Sequence, residues 1–440
     1  MTHRKVTMQT QNDFSTSYLD VAMAGSWTIS AIGPIAHGGV KRVGSVLAGM
    51  ATAGPARRIG LVPDRSTRQW HYDPSRLEKA AFEIEPVTDV SQVAPTIGRL
   101  TEMARTEHRE LPIWVAIAGD WLFIYLDHGI GDGWMTLGLS ASILSGEPNE
   151  VAPWQKLPLT PHPLRTALLN ALKQNPLLPL QSVRDMAKNR NRPGPAGSGR
   201  STPWAPDNGV AYSHGTTESF NEMMTWREKH LPGVSSAALH IAAKVRALRE
   251  VGLEPDNTIN LLVDGRRYLP GDGLVTSNFA AGAGLALEDA GNPEEVAAMV
   301  VHATRSGRAA TTLLATSARL ARAKNRGGPG VEDADSVPVP AQPRLAFTDM
   351  GRARAIEPLG WLDQSRVDTH FVACVSPAGP EFITFAGGRL FGQVHDAASF
   401  HRNVFDQKLV AQALQLAVTE PVRLLSSPEL SASRRNTRHF

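Results

Sequence analysis

The residue types best suited to chemistry lie together in one short run of the sequence, from Asp127 to Gly133. A histidine side chain has an unperturbed pKa near ~6.5, so an imidazole at position 128 could accept a proton at neutral pH. Asp132, four residues further on, could orient that imidazole, or it could turn away and fix the loop through an ion pair. The interleaved glycines allow backbone and substrate to approach closely. The run therefore predicts a general base in a tight loop, although a histidine four residues before an aspartate is also common without a catalytic role.

A strand and a helix are predicted on either side of this run. Residues 113–126 form two apolar, β-favouring runs around a central Gly-Asp pair, which is typical of a β-hairpin. The second run is apolar on both faces, so it is expected to be an interior strand of a sheet that is covered on both sides. Residues 134–144 favour a helix that is closed by a glycine. His128 is therefore expected where a rigid sheet ends and a helix begins.

Composition limits the class of protein. With 440 residues, of which 42% are hydrophobic and 20% charged, the chain is long enough for two lobes of an ordinary globular protein. A net charge of +3 does not favour nucleic-acid binding. The single cysteine excludes an intrachain disulfide and a cysteine zinc site. No signal peptide and no membrane span are predicted, so a cytoplasmic protein is expected.

Low-apolar stretches divide the chain into two lobes. A segment rich in proline, glycine and serine begins at Lys188, which is typical of a linker. Both ends of the chain are polar. The predicted division is a mobile tail over 1–17, an N-terminal lobe over 18–187, a linker over 188–210, a C-terminal lobe over 211–425 and a tail over 426–440.

The C-terminal lobe is predicted to contain both helices and strands, with a flexible surface loop over 325–343. Periodicity indicates which segments are which. The predicted helices cover 217–230, 235–250, 293–323 with a break near 306–307, and 399–419, and the predicted strands cover 259–263, 345–347 and a pair at 371–375 and 381–385.

Other reactive residue types are interpreted as structural. Cys374 lies in an apolar run and is expected in the core, although a thiol nucleophile is the alternative. His395, Asp396 and His401 could bind a metal, but no zinc-binding helix pattern accompanies them, so no metal site is predicted. Serine-hydrolase and nucleotide-phosphate motifs are absent from the sequence.

Three segments together resemble the chloramphenicol-acetyltransferase-like superfamily, which includes condensation domains and polyketide-associated acyltransferases. The run from His128 to Gly133 matches the HxxxDG signature of that superfamily. Residues 263–269, followed by Asn278, resemble its arginine-bearing strand and the segment after it. Residues 347–352 resemble a third segment, and the order of the three suits the family from about residue 20 to 420.

The resemblance implies an α/β fold of two similar lobes, each a mixed sheet flanked by helices, with an active-site tunnel between them. His128 would be the catalytic base in that tunnel. Asp132 would be structural and would pair with Arg266, and the backbone of Gly133 would lie near the oxyanion. The residues expected to line the tunnel are Asp127, Trp134, Asn278, Thr348 and Asp349.

Two residues depart from the family pattern. Asp127 stands where peptide-forming condensation domains carry a first histidine, and Asp349 stands where an asparagine is usual. The second histidine, which the chemistry uses, is present as His128. The departures leave the acceptor chemistry open.

The function implied is that of a free-standing acyltransferase or condensation enzyme, acting as a monomer. It would move an acyl group from a pantetheine thioester to a hydroxyl or amine of a small-molecule acceptor. An acyl carrier protein, a peptidyl carrier protein or acyl-CoA would deliver the donor, and no tightly bound cofactor is expected. The alternatives are a binding or scaffold protein of the same fold, and a family member that catalyses cyclisation or dehydration in natural-product biosynthesis.

Overall fold

The computed structural model describes residues 13–107, 110–178, 200–271, 273–325 and 335–428. Several sequence predictions therefore lie wholly or partly outside the described residues. These are the N-terminal tail over 1–12, the last part of the N-terminal lobe and the linker over 179–199, the surface loop over 326–334 and the C-terminal tail over 429–440.

The described residues contain both helices and strands. The helices are α1 (Tyr18–Met23), α2 (Gly39–Ala51), α3 (Val93–Thr106), α4 (Gly133–Ser145), α5 (Pro163–Gln174), α6 (Thr217–His230), α7 (Ser236–Glu250), α8 (Pro293–Arg305), α9 (Arg308–Asn325), α10 (Gln407–Thr419) and α11 (Pro421–Ser426). The strands are β1 (Asp13–Ser15), β2 (Trp27–Gly33), β3 (Leu61–Val62), β4 (Gln69–Tyr72), β5 (Ala81–Glu83), β6 (Ile113–Ala118), β7 (Trp121–Asp127), β8 (Ser201–Pro203), β9 (Asn208–Gly215), β10 (Thr258–Asp264), β11 (Ala280–Ala286), β12 (Ser336–Pro338), β13 (Arg344–Arg352), β14 (His370–Val375), β15 (Phe382–Leu390) and β16 (Gln393–His401). Within these ranges, no helix combines the length and the apolar character that crossing a lipid bilayer requires.

The first sheet holds the predicted hairpin at its centre. Its strand order is β14-β2-β7-β6-β5, and all pairs are antiparallel except β5 with β6. The hairpin turns at Gly119, whose φ of +67° is in the left-handed region that glycine adopts without strain. Every residue of β7 is buried between β2 and β6. Since α3 and α4 contact β2, and α2 contacts β5 and β6, the prediction of a covered interior strand is confirmed.

The outer strand of the first sheet comes from the second half of the chain. β14 pairs with β2 from His370 opposite Gly33 to Val375 opposite Thr28. The prediction that 371–375 pairs with 381–385 is wrong, because β15 pairs with β13 and β16 instead. All of β2 is buried, so the backbone groups on its outer edge need a hydrogen-bonding partner within the fold. β14 supplies that partner.

The second sheet has the order β11-β10-β13-β15-β16-β9. The β10–β13 and β13–β15 pairs are parallel and the others are antiparallel. Helix α10 contacts β9 and β16, α8 contacts β10 and β11, and α9 contacts β11. Each sheet has its own cluster of buried apolar side chains. Two mixed sheets flanked by helices confirm the predicted fold class.

Some predicted element boundaries agree with the structure and others do not. Helices at 217–230 and 236–250 are confirmed, and the long helix that follows is interrupted at Gly307, where φ is +79°. The last long helix was predicted from Ser399 but begins at Gln407, because 399–401 belongs to β16. Residues 13–15, predicted as part of a mobile tail, pair with β4 as strand β1.

Candidate active site

The motif loop joins the central strand of the first sheet to helix α4. Strand β7 ends at Asp127 and α4 begins at Gly133. The helix starts here because the Asp132 carboxylate accepts a hydrogen bond from the Trp134 amide at 3.2 Å, as a helix N-cap. The structure therefore places His128 in a loop held at one end by a buried strand and at the other by a capped helix.

Asp132 forms a bidentate ion pair with Arg266. Arg266 Nη1 lies 2.9 Å from Asp132 Oδ2, and Nη2 lies 3.1 Å from Oδ1. Asp132 Oδ2 also accepts from the Phe279 amide at 2.9 Å. Of the two roles that the sequence leaves open for Asp132, the observed bonds match the anchor. Its carboxylate is bound by Arg266 and two amides, and it makes no hydrogen bond to the buried Nδ1 of His128.

Several groups besides Asp132 bind the Arg266 guanidinium, and the ion pair itself is only slightly exposed. Its guanidinium donates to the carbonyls of Val275 and Ser277 and to the Asp264 carboxylate. It also lies 5.6 Å from the centre of the Trp134 ring, which is a cation–π contact. Trp134 is half-buried, and it packs edge-on against Trp154 at 5.7 Å.

The His128 backbone is fixed by hydrogen bonds, whereas its imidazole forms none with the residues that the structure describes. The amide donates to the Ser26 carbonyl at 2.9 Å, and the carbonyl accepts from Asn278 Nδ2 at 2.7 Å. Within the described part of the chain, His128 Nδ1 is buried without a hydrogen-bond partner. The residue as a whole is half-buried, which leaves Nε2 as the ring nitrogen to meet a reactant.

The Asp127 carboxylate is buried and is bound by backbone amides. It accepts from the amides of Gly25 and Gly129, both at 2.8 Å, and the residue is 8% exposed. Burial raises the pKa of Asp127 to about 7, although the two amides and the nearby Arg65 guanidinium act in the opposite direction. Asp127 therefore belongs to the wall of the loop, where it fastens the residue after His128.

Asn278 joins the loop to two residues that sequence reasoning missed. Asn278 donates to Asp20 as well as to His128, and Asp20 in turn lies 3.1 Å from Arg58. Asp20 gave a signal only as a helix cap, because it stands three residues after Ser17 and completes a capping box with it. Arg58 gave no signal in the sequence.

The three glycines of the motif have different surroundings. A methyl group on Gly129 would lie 2.9 Å from both Ala24 Cα and the Trp70 ring, and one on Gly131 would lie 2.5 Å from the Met135 side chain. A methyl group on Gly133 would find no heavy atom nearer than the Met350 sulfur at 3.7 Å. Close packing thus requires the first two glycines, whereas a methyl group on Gly133 would meet Met350 only at an ordinary contact distance.

The third motif segment runs beside the loop, but its charged residue does not point inward. Thr348 is half-buried on β13, and Met350 approaches Gly133. Asp349 is exposed, and its carboxylate accepts from the Gly351 amide at 2.7 Å where β13 bulges. The departure at Asp349 therefore closes a local turn.

The remaining candidates lie in structural surroundings. Cys374 is buried in the apolar core of the first sheet, and burial raises the pKa of its thiol. Among the described residues, no group of three histidine, cysteine or acidic side chains could hold a metal ion. His395 bonds with the Tyr212 hydroxyl, Asp396 pairs with Lys244 at 2.8 Å, and His401 accepts from the Asp207 amide.

The resemblance of this chain to known proteins is one of structure. No protein-family model and no curated protein matches its sequence. TRI3 trichothecene 15-O-acetyltransferase from Fusarium sporotrichioides superposes with a TM-score of 0.59 at 10% identity, covering 92% of this chain and 94% of that one. The first condensation domain of the calcium-dependent antibiotic synthetase superposes with a TM-score of 0.56 at 14% identity, covering 94% and 98%. The chain has the chloramphenicol-acetyltransferase-like fold.

A third structure of the chloramphenicol-acetyltransferase-like fold comes from a polyketide-associated protein. Polyketide synthase associated protein 5 from Mycobacterium tuberculosis matches with a TM-score of 0.53 at 15% identity, covering 94% of this chain and 98% of that one. The fold that the three sequence motifs resembled is therefore confirmed over nearly the whole chain. At these identities the likeness concerns the fold, and the roles of individual residues follow from their contacts.

Proposed function

We propose that the protein is an acyltransferase that uses His128 as its general base. The observation that carries this proposal is the pattern of hydrogen bonds in the loop between β7 and α4. Both neighbouring carboxylates are occupied, Asp132 by Arg266 and Asp127 by two amides, while the imidazole is free of hydrogen bonds within the described residues. A histidine held by its backbone and unpartnered in its ring can accept a proton from a substrate.

The proposed reaction joins an acceptor to an acyl group carried as a thioester. Nε2 of His128 takes the proton of an acceptor hydroxyl or amine as the oxygen or nitrogen attacks the thioester carbonyl. The new C–O or C–N bond forms, the C–S bond breaks, and the proton passes from the imidazole to the departing pantetheine thiolate. No oxidant or metal is needed to balance this step.

The oxyanion of the tetrahedral intermediate would lie near the amino terminus of α4. Gly133 is the first residue of that helix, and a methyl group placed on it would come no closer than 3.7 Å to Met350. A helix amino terminus carries partial positive charge and unpaired amides, which stabilise a developing negative charge. We therefore assign the backbone of Gly133 to the oxyanion, inside a tunnel between the two sheets.

The donor would be a substrate and not a resident cofactor. An acyl or peptidyl carrier protein, or acyl-CoA, would present the pantetheine thioester, and a small molecule would supply the acceptor. The structural neighbours support this class of partner, because they include a condensation domain of an antibiotic synthetase and a polyketide synthase associated protein. We expect the protein to act in the cytoplasm.

The test measures transfer from an acyl-pantetheine thioester by the wild type and by His128→Ala. General-base catalysis contributes about 10²–10⁴-fold, so the variant is expected to lose at least about 100-fold in kcat. His71→Ala is the control, because that side chain is 54% exposed on β4, outside the loop. Undiminished turnover by His128→Ala would refute the base role. Product mass distinguishes the alternatives, since transfer joins two molecules, cyclisation joins none, and a scaffold protein releases no thiol.

A further inference from the structure

The loop that carries His128 is held by its carbonyl oxygens as well as by Asp132. Three consecutive carbonyls each accept a hydrogen bond from a side chain. Asn278 Nδ2 lies 2.7 Å from the His128 oxygen, Arg58 Nη2 lies 2.7 Å from the Gly129 oxygen, and Arg58 Nε donates to Ile130. Because these bonds hold the backbone that carries the His128 Cβ atom, they limit where the imidazole can point.

One carboxylate organises both of these donors. Asp20 is fully buried, and its Oδ1 atom accepts from the amide and the Nδ2 of Asn278, each at 3.0 Å. The same oxygen lies 3.1 Å from Arg58 Nη2. The other oxygen, Oδ2, accepts from the amide and the hydroxyl of Ser17. Asp20 thus connects helix α1, the motif loop and the segment before β11 at one point.

Arg58 adopts a conformation that its surroundings must enforce. Its φ of +73° is in the left-handed region, which is uncommon for a residue with a side chain, and the residue is 2% exposed. Its guanidinium lies 5.8 Å from the centre of the Trp70 ring, and that ring also packs against Gly129. Backbone strain of this kind persists where neighbouring contacts over-determine the conformation, and it is concentrated at functional sites.

We propose that Asp20 is a positioning residue for His128, acting through Asn278 and Arg58. Its buried carboxylate holds the two side chains that fix the carbonyls of residues 128–130, and it thereby sets the direction of the imidazole. The proposal rests on the proposed acyl transfer and adds a residue from the first helix to that site. Asp20 touches neither substrate nor reacting atom in this account.

The expected effect falls on kcat. A displacement of about 1 Å at a reacting group can lower a rate by about 100-fold. Asp20→Asn keeps the size of the side chain but removes the counter-charge of Arg58. It is expected to lower kcat by about 10- to 100-fold and to change KM by less than about threefold, because the acyl and acceptor contacts are untouched. Asp289→Asn is the matched control, since Asp289 pairs with Arg249 at 2.7 Å away from the loop.

A charge-swap variant separates positioning from stability. Asp20→Asn with Asn278→Asp returns a carboxylate to the neighbourhood of Arg58, but it leaves the His128 carbonyl without its donor. We expect urea unfolding to show partial recovery of stability, while kcat stays as low as in Asp20→Asn. Recovery of kcat together with stability would overturn the proposal. If Asp20→Asn does not fold, Asn278→Ala is the substitute, because it removes the donor to the His128 carbonyl and keeps the Asp20–Arg58 pair. An unchanged kcat in Asn278→Ala would also overturn the proposal.

A readout that needs no turnover keeps this inference separate from the proposed function. Diethyl pyrocarbonate modifies accessible imidazoles, and peptide mass spectrometry gives the rate at each histidine. In Asp20→Asn the rate at His128 is expected to change at least threefold relative to the exposed His71, whereas Asp289→Asn leaves the ratio unchanged. An unchanged ratio in Asp20→Asn overturns the positioning role. Absence of acyl transfer by the wild type contradicts the proposed function and leaves this comparison intact.

Discussion

Breaking the buried pair between Asp132 and Arg266 is expected to cost more than any exposed ion pair of this chain. The perturbation is Asp132→Asn, which keeps the shape of the side chain and its oxygen for the Trp134 amide. It removes the negative charge and turns one acceptor into a donor that faces Arg266. Their side chains are 8% and 15% exposed, respectively, so water can replace the lost contacts only in part.

The magnitude follows from what remains around Arg266. Removing one partner of a buried ion pair costs about 3–5 kcal/mol, because a buried charge is left uncompensated. Arg266 keeps its bonds to the carbonyls of Val275 and Ser277 and its contact with Asp264. The cost in unfolding free energy is therefore expected near the lower limit, about 3 kcal/mol. With Arg266→Met added, the double variant is expected to be more stable than the two single costs predict, by about 2 kcal/mol.

Urea unfolding of the four proteins of this cycle measures both quantities. Asp264→Asn is the control, because Asp264 contacts the same arginine but is 52% exposed, and an exposed pair contributes about 0–1 kcal/mol. The reasoning is refuted if Asp132→Asn costs no more than Asp264→Asn, or if the two single costs add without coupling. Either result would mean that the loop is held chiefly by its backbone contacts.

Two further predictions concern the same loop. Gly129→Ala is expected to lower the free energy of unfolding by about 1–3 kcal/mol, because its methyl group would overlap Trp70 and the backbone nearby. Gly133→Ala is the control and is expected to leave thermal stability unchanged or slightly higher. Equal effects of the two substitutions would contradict the packing argument. Burial raises the pKa of Asp127 from its ordinary 3.8 to about 7, so the stability that its protonated form contributes is full below 3.8 and is lost as the pH rises through 7. The stability advantage of the wild type over Asp127→Asn should therefore shrink between about pH 4 and pH 7 in urea unfolding. An advantage that does not shrink over this range would show that the carboxylate of the folded protein is ionised throughout it.

The elements around the motif could be predicted because their signals are local. The hairpin over 113–126 shows two apolar runs around a turn pair, and the helix that follows has a cap at each end. Strand β16 was not predicted, because its polar residues are typical of a loop and of the start of a helix. In the structure they are buried and paired, as Asp396 is with Lys244.

The parts of the site that escaped prediction depend on contacts between distant segments. Asp20 and Asn278 are 258 residues apart along the chain, and neither stands in a pattern that announces the other. The pairing of Asp132 with Arg266 came from resemblance to a family, since no spacing rule connects residues 134 positions apart. The partner of β14 was missed for the same reason, because strand pairing is specified by the edge that remains open once the other strands have paired.

The position of β14 has a consequence for dividing the chain into fragments. A fragment that stops near residue 190 would contain the hairpin and the whole HxxxDG run. Without β14, however, β2 would become an unpaired edge strand made of residues that are all buried in the intact fold. Such an edge is a template for association with other chains. Two separately produced halves would therefore recombine only if β14 of the second half paired with β2 of the first. Each half alone would be prone to aggregate. Genetic separation of the lobes, or an exchange of one lobe between relatives, has to carry residues 370–375 with the first half.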